Sequence, residues 1–182
     1  MSNVLFLGDL HAGHKSITKY RTQFRDEQDH FEYVEEQYYK RVTKRDKCIF
    51  TGDAVFSLDR AKRIAKWPGI KELCLGNHDT DNVSMKDLIW TFDEIYSLRK
   101  YKEFWISHAP IHPDELRGKR NIHGHVHYQN VQDLRYFNTS LENIGFKPIS
   151  LHEIRVIMDK RNQSFAEKGY HDVDLDTVEF KR

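Results

Sequence analysis

Short apolar runs alternate with polar segments along the chain, and each run stops beside a residue that can bind a metal. The runs are residues 4–7, 48–50, 73–75, 104–106 and 121–122, followed closely by Asp9, Asp53, Asn77, His108 and His123, respectively. Runs of this length that carry β-branched and aromatic residues and end near glycine are typical of buried strands. The pattern therefore predicts five strands with polar side chains at their ends.

Helical patterns lie between these runs. Residues 27–44 carry one apolar stripe among charged residues, formed by Phe31, Val34, Tyr38 and Val42, which indicates an amphipathic helix that covers a sheet. Residues 58–66 and 83–90 predict two shorter helices. Ser150 and Glu153 have the spacing of a capping box, which predicts a last helix from 151 to about 160.

Strands that alternate with helices predict an α/β fold with helices outside the sheet, and in such folds ligands gather at the carboxyl ends of strands. We expect a single domain over residues 1–160. Residues 161–182 are polar with loosely spaced apolar positions, so we expect a C-terminal tail or an edge element there.

Composition excludes several classes of protein. The 182 residues carry 29 Lys and Arg against 28 Asp and Glu, for a formal charge of +1, and 38% are hydrophobic. A strongly basic nucleic-acid binder and a wholly disordered chain are therefore disfavoured. The first apolar run is too short for a signal peptide or a membrane span, which predicts a soluble, cytoplasmic protein.

Each motif beside a predicted strand also has a plain structural interpretation. Asp9-Leu10-His11 occurs in many surface turns, and Gly52-Asp53 is compatible with an ordinary strand-ending turn. The segments 76–79 (Gly-Asn-His-Asp) and 123–127 (His-Gly-His-Val-His) are more specific. Alternate residues of an extended chain point the same way, so we expect His125 and His127 side by side.

Together the segments supply carboxylates, an amide and imidazoles without a thiolate, a donor set that suits Mn, Fe, Zn, Co or Ni. The candidates are Asp9, His11, Asp53, Asn77, His108, His125 and His127. They are too many for one tetrahedral zinc ion but suit two metals that share a carboxylate. Glycines beside four of them allow the backbone to come close around a compact cluster.

These ordered segments resemble the calcineurin-like metallophosphoesterase superfamily, and residues 9–14 (Asp-Leu-His-Ala-Gly-His) resemble a small bacterial and phage branch of it. The resemblance implies an α/β/β/α sandwich, with two central sheets flanked by helices. It also implies one metal held by Asp9, His11 and His127, a second held by Asn77, His108 and His125, and Asp53 as the bridge. His78 is then the catalytic histidine, oriented by Asp79.

The function expected from this resemblance is metal-dependent hydrolysis of phosphate esters, with a hydroxide that bridges two divalent ions as nucleophile. Manganese is the first expectation for the metal, with zinc, iron, nickel and cobalt as alternatives. His78 can donate a proton to the leaving oxygen. A phosphodiester is favoured because the chain lacks a large cap domain, and a phosphomonoester remains the alternative.

For substrate contacts we expect His14, Arg21 and Asn77. Lys15, Lys19, Arg21 and Arg25 either form a phosphate-facing rim or simply face water. The expected substrate is a small phosphoester or a nucleotide, with single-stranded nucleic acid kept open and no membrane partner. We expect His30 at the surface and His123 in the core or beside the ligands.

Three alternative interpretations compete with this one. A metallo-β-lactamase-type hydrolase needs an Asp that residues 123–127 lack, and an HD-type dyad belongs on a helix, whereas His78-Asp79 follows a predicted strand. The third alternative is a scaffold that kept this fold after it lost its chemistry. Such proteins usually lose ligands, and here every expected position is filled.

Overall fold

Two β-sheets lie at the centre of the computed structural model, which describes residues 2–168. The first sheet has the order β4-β3-β2-β1-β9, with strands β1 (Val4–Leu7), β2 (Lys47–Phe50), β3 (Ile70–Cys74), β4 (Glu94–Tyr96) and β9 (Ile149–Ser150). Strands β1 to β4 are parallel and β9 is antiparallel to β1.

The second sheet has the order β5-β6-β7-β8, with strands β5 (Leu98–Tyr101), β6 (Phe104–Ser107), β7 (Arg120–His123) and β8 (Tyr136–Asn138). Strands β6, β7 and β8 are parallel, and β5 is antiparallel to β6. Inward-facing residues of both sheets belong to one hydrophobic cluster, which includes Phe6, Phe50, Phe104, Ile122 and Phe137. The predicted α/β fold with two sheets and flanking helices is confirmed.

Four helices accompany the sheets: α1 (Glu27–Arg41), α2 (Leu58–Ile64), α3 (Met85–Thr91) and α4 (Leu151–Lys168). Asp26, Ser57 and Ser84 cap the first three helices by accepting a backbone N–H of the first turn, which satisfies a donor that the helix leaves free. The predicted capping box is present, because the Ser150 N–H donates to Glu153 and the Glu153 N–H donates to Ser150.

The last helix is longer than predicted. Helix α4 continues past residue 160 to Lys168, and within this extension Arg161 is buried, with its guanidinium 5.3 Å from the centre of the Phe137 ring. A long side chain can cover apolar surface in this way although its charge suggests solvent. The part of the predicted tail or edge element beyond residue 168 lies outside the described residues, and the boundary at 160 stays a prediction.

All five predicted strands are present, but β4, β5, β8 and β9 were not predicted. Strands β4, β8 and β9 are only two or three residues long, too short for a pattern to be recognised. Strand β5 has two charged residues at its centre, Arg99 and Lys100, and so lacks an apolar run. The parallel strands of the two sheets bring the loops after β1, β2, β3, β6 and β7 together. In residues 2–168, no helix combines the length and apolar character that a membrane span requires.

Candidate metal centre

The loops after β1, β2, β3, β6 and β7 place all seven predicted ligands in one cluster. Asp9 Oδ1 lies 3.8 Å from His11 Nε2, and Asp9, His11 and His127 form one group whose ligand atoms all lie within 4.8 Å of one another. Asp9, Asp53 and His108 form a second group by the same criterion. The two groups share Asp9, so two metal sites at this place would be adjacent.

Asp53, a member of the second group, also approaches His11 of the first group. Its Oδ2 atom is 3.8 Å from His11 Nε2 and 3.6 Å from His108 Nε2. The bridging role of Asp53 stays a prediction. Asn77 and His125 lie next to His108, since Asn77 Oδ1 and His125 Nδ1 are 2.9 Å and 3.1 Å from His108 Nε2. The cluster thus contains the complete predicted ligand set.

The expected geometry of His125 and His127 was wrong. Strand β7 ends at His123, and both later histidines have left-handed backbone, with φ of 75° and 47°. Their imidazoles therefore diverge: His125 approaches His108, whereas His127 lies beside Asp9, with 4.0 Å between His127 Nε2 and Asp9 Oδ1. They contribute to opposite ends of the cluster.

Left-handed backbone is common among the candidate ligands. Asp9, His11 and Asp53 also have φ near 50°, so five of the seven adopt a conformation that is uncommon for residues with a side chain. Such strain persists only where the surroundings enforce it, and it concentrates at functional sites. The backbone is bent here in order to direct side chains into the cluster.

Two glycines allow the loops to come this close. A Cβ atom on Gly76 would overlap the Asp53 carboxylate, and one on Gly124 would overlap Asp9 Oδ2. The expectation that glycines beside the ligands permit a compact cluster is therefore confirmed at these positions.

Unsatisfied buried atoms show that the cluster fits a cation. Asp9 Oδ2 accepts hydrogen bonds from Ser140 Oγ at 2.7 Å and from the His125 N–H at 2.9 Å. Asp9 Oδ1 and His11 Nε2 are buried without a hydrogen-bond partner, which is costly unless another group satisfies them. A divalent cation would satisfy both atoms, and the nitrogen and oxygen donors suit a transition metal.

The Asp9 carboxyl group is held in its anionic form. Burial acts to raise its pKa, but the neighbouring imidazoles of His11, His108 and His127 outweigh that effect and lower the pKa to about 2. A buried carboxylate that stays ionised is an effective ligand for a divalent ion.

Arg21 does not face the cleft, so its predicted contact with substrate is wrong. Its guanidinium is fully buried behind the ligand loop and donates to the carbonyl oxygens of Asp9 at 2.6 Å and Leu10 at 3.2 Å. It also donates to Glu142 at 2.9 Å and to His30 Nε2 at 2.9 Å. His30, expected at the surface, is buried, and burial followed by the Arg21 charge lowers its pKa.

Glu142 contacts the candidate ligand His127 but is not among the residues predicted from the sequence. Its Oε1 atom lies 3.1 Å from His127 Nδ1 and 2.9 Å from the Arg21 guanidinium. Burial acts to raise the pKa of Glu142, but the Arg21 charge and His127 lower it to about 2. Ser140, two residues before Glu142 in the chain, donates a hydrogen bond to Asp9 Oδ2 at 2.7 Å.

The predicted role of Asp79 as the partner of His78 was wrong. Asp79 is buried and accepts backbone N–H groups of Gly76, Asp53 and Ala54 at 2.8, 3.0 and 2.7 Å, so it joins two ligand loops. Burial is the main cause of its raised pKa. His78 instead projects toward solvent, with its Nδ1 atom 2.7 Å from Asp81 Oδ2, and this hydrogen bond raises the pKa of His78.

The remaining predicted residues lie around the cluster. The His14 ring centre is 5.9 Å from that of His11, in an edge-to-face arrangement. Lys15 and Lys19 are exposed, and Arg25 is exposed and paired with Asp26. His123 is buried with Nδ1 beside the Gly124 carbonyl oxygen, as expected for a core residue. The substrate contacts of His14 and Asn77 stay predictions.

The fold and this site define the class of protein. The sequence profile of the calcineurin-like phosphoesterase family matches residues 2–172, so the chain belongs to that family. The predicted resemblance is confirmed. Members of this family depend on divalent metals and act on phosphoesters.

Sequence relatives that match most of this chain include proteins from a phage and an archaeon. The Gene 66 protein of Mycobacterium phage L5 is 27% identical over 94% of this chain and all of its own length. The uncharacterized protein MJ1445 of Methanocaldococcus jannaschii is 25% identical over 88% and 93% of the two chains.

The fold is shared with one of the solved structures described next. The protein of unknown function AQ665 from Aquifex aeolicus superposes with a TM-score of 0.69 at 24% identity, over 86% of this chain and all of that one. Pseudomonas putida nuclease MPE has a TM-score of 0.48 at 19% identity, over 68% and 61% of the two chains. The similarity to AQ665 extends to the fold alone.

Proposed function

We propose that this protein is a phosphodiesterase that uses two divalent metal ions. The observation that carries the proposal is the pair of overlapping ligand groups that share Asp9, with Asp53 Oδ2 within 3.8 Å of both His11 and His108. Asp9, His11 and His127 would hold one ion, Asn77, His108 and His125 the other, and Asp53 would contact both. Manganese suits the mixed donor set, as do zinc, iron, nickel and cobalt.

When bound, such a pair of ions supplies Lewis acidity, an acidified water molecule and a positive clamp for the non-bridging phosphate oxygens. The chain contributes the positions of the ligands. Glu142 holds His127 by its Nδ1 atom, so that Nε2 faces Asp9, and Ser140 holds one oxygen of Asp9 while the other faces the cluster. These outer partners fix ring and carboxylate orientation.

His78 is suited to the leaving-group oxygen. It follows the ligand Asn77, lies at the surface of the cluster, and has one ring nitrogen beside Asp81, which leaves Nε2 to face substrate. A raised pKa favours the protonated ring, and a protonated imidazole can donate its proton as the ester bond breaks. Asp81 takes the orienting role that had been expected of Asp79.

The position of Arg21 supports a diester rather than a monoester as the substrate. Arg21, the arginine closest in sequence to the first ligands, is turned away from the cleft and bound to Glu142. It is therefore not available to clamp the terminal oxygens of a phosphomonoester dianion, a contact for which the guanidinium fork is well suited. A phosphodiester carries one negative charge and needs no such clamp.

The decisive experiment compares an aryl phosphodiester with the matching aryl phosphomonoester, each in the presence of Mn, Zn, Ni or Mg. We expect hydrolysis of the diester with at least one transition metal, bound metal measured by elemental analysis, and loss of turnover in Asp53→Asn. Preference for the monoester would overturn the diester assignment. Stable folding without turnover at any metal would favour a binding scaffold instead.

A further inference from the structure

A cavity of about 400 Å³ lies against the candidate metal centre. It is lined by Gly13, His14, Lys15, Ser16, Phe56 and Asn82. None of these residues is among the seven candidate ligands, although His14 and Phe56 touch them. Its size is within the range of pockets that bind small organic groups.

The Phe56 ring connects this cavity to the cluster. It stacks on His11, with ring centres 4.8 Å apart and an interplanar angle of 23°. Its centre is also 5.6 Å from that of His78. A planar group that packs against the uncovered part of Phe56 would therefore lie close to His11, a candidate metal ligand, and to His78, the proposed proton donor.

The polar lining of the cavity is available to a ligand. Among the hydrogen bonds and ion pairs of residues 2–168, none is formed by the side chains of Lys15, Ser16 or Asn82. His14 Nδ1 is buried without a hydrogen-bond partner. The amide, hydroxyl and ammonium groups can exchange hydrogen bonds with the polar edge of a planar ligand. The aromatic ring offers a surface on which the flat face of the same ligand can stack.

We propose that this cavity, the Phe56 pocket, binds the nucleobase of a nucleotidyl phosphodiester. The inference rests on the proposed function, because a base in the pocket places its attached phosphate at the metal centre. A base has an aromatic face that stacks on side chains of this kind and a polar edge that takes up hydrogen bonds. A simple alkyl ester would leave the three polar side chains without a role.

The test uses two substrates with the same leaving group, the p-nitrophenyl ester of thymidine 5′-phosphate and methyl p-nitrophenyl phosphate. We expect the metal-loaded wild type to favour the nucleotidyl ester in kcat/KM. Phe56→Leu should reduce that preference by about tenfold, the size of a lost base stack, mainly through KM. Phe56→Tyr, which keeps the ring, should retain it.

Two further variants separate the pocket from general effects. Asn82→Ala alters an exposed side chain that touches no candidate ligand, and it should weaken the preference without a change in metal content. Trp90→Leu removes an aromatic side chain that is 78% exposed on α3 but lies outside the pocket, and it should leave the preference unchanged. An equal loss in Trp90→Leu would indicate non-specific stacking and overturn the assignment.

A binding measurement distinguishes failure of this inference from failure of the proposed function. The manganese-loaded protein is titrated calorimetrically with thymidine 5′-monophosphate and with methyl phosphate. We expect tighter binding of the nucleotide, reduced to the level of methyl phosphate in Phe56→Leu. Equal binding of both by the wild type overturns the base pocket alone, whereas no binding of either ligand and no hydrolysis would overturn the metal centre itself.

Discussion

The Glu142 carboxylate lies 3.1 Å from Nδ1 of His127, on the side of the ring away from Asp9. A carboxylate in this position fixes the orientation of the imidazole and makes it a better metal ligand. Because Glu142 also binds Arg21, the ligand is tied to the protein interior through a buried ion pair.

We predict that Glu142→Gln weakens binding of the metal held by His127 by about 10- to 100-fold, the usual effect of the loss of a partner behind a ligand. Competition with a chelator, followed by elemental analysis, measures the change. Glu153→Gln, which neutralises a half-exposed glutamate on α4, is the matched control and should bind metal as the wild type does. Unchanged metal affinity in Glu142→Gln would contradict the role of the carboxylate.

Arg21→Ala should strongly destabilise the protein. The substitution leaves a buried Glu142 without its cation and removes donors from the carbonyl oxygens of Asp9 and Leu10. Loss of one partner of a buried pair costs about 3–5 kcal/mol, which is readily measured by urea denaturation. Arg25→Ala, four residues on and exposed, should change the free energy of unfolding by less than about 0.5 kcal/mol. Similar values for the two variants would show that the buried network contributes little.

The His78→Ala variant should retain its bound metal but should no longer donate a proton to the leaving oxygen. We expect a loss of about 100- to 10,000-fold in kcat for an alkyl leaving group and a much smaller loss for p-nitrophenolate, which departs without a proton. Asp81→Asn should show the same leaving-group dependence with a smaller loss, because it weakens only the orientation of the ring. An equal loss with both leaving groups would exclude proton donation by His78.

The lowered pKa of Glu153 predicts that the stability of the protein depends on pH, independently of the metal centre. Burial opposes its ionisation, but hydrogen bonds from Arg41 and Ser150 lower its folded pKa to about 2, below the ordinary value of 4.5. The stabilisation is therefore present above pH 4.5 and is lost as the pH falls toward 2.

Thermal unfolding of the wild type and Glu153→Gln between pH 2 and pH 7 measures this contribution. We expect the wild type to be more stable above pH 4.5 and the two curves to converge at low pH. Because the Glu153 side chain is 41% exposed, solvent screening limits the difference to less than about 1 kcal/mol. A constant difference across the whole range would mean that ionisation of Glu153 is not involved.

Much of the fold and of the ligand set could be predicted because both depend on local patterns. Apolar runs that end at polar residues located β1, β2, β3, β6 and β7, since buried strands need such runs. The residues after these runs proved to be the ones that the structure gathers into the cluster. Strands β5 and β8 escaped prediction because short strands depend on their neighbours in the sheet rather than on their own residues.

The chemical types of the ligands were therefore determined by the sequence alone, since donor atoms belong to side chains and parallel strands end at one edge of a sheet. Only the tertiary structure decided which atoms meet. Asp79 and Asp81 are two residues apart, yet one binds backbone amides and the other binds His78. Arg21 and Glu142 are 121 positions apart, yet they form a hydrogen bond. The left-handed turns that separate His125 from His127 arise where five loops pack together, and no local sequence pattern encodes that packing.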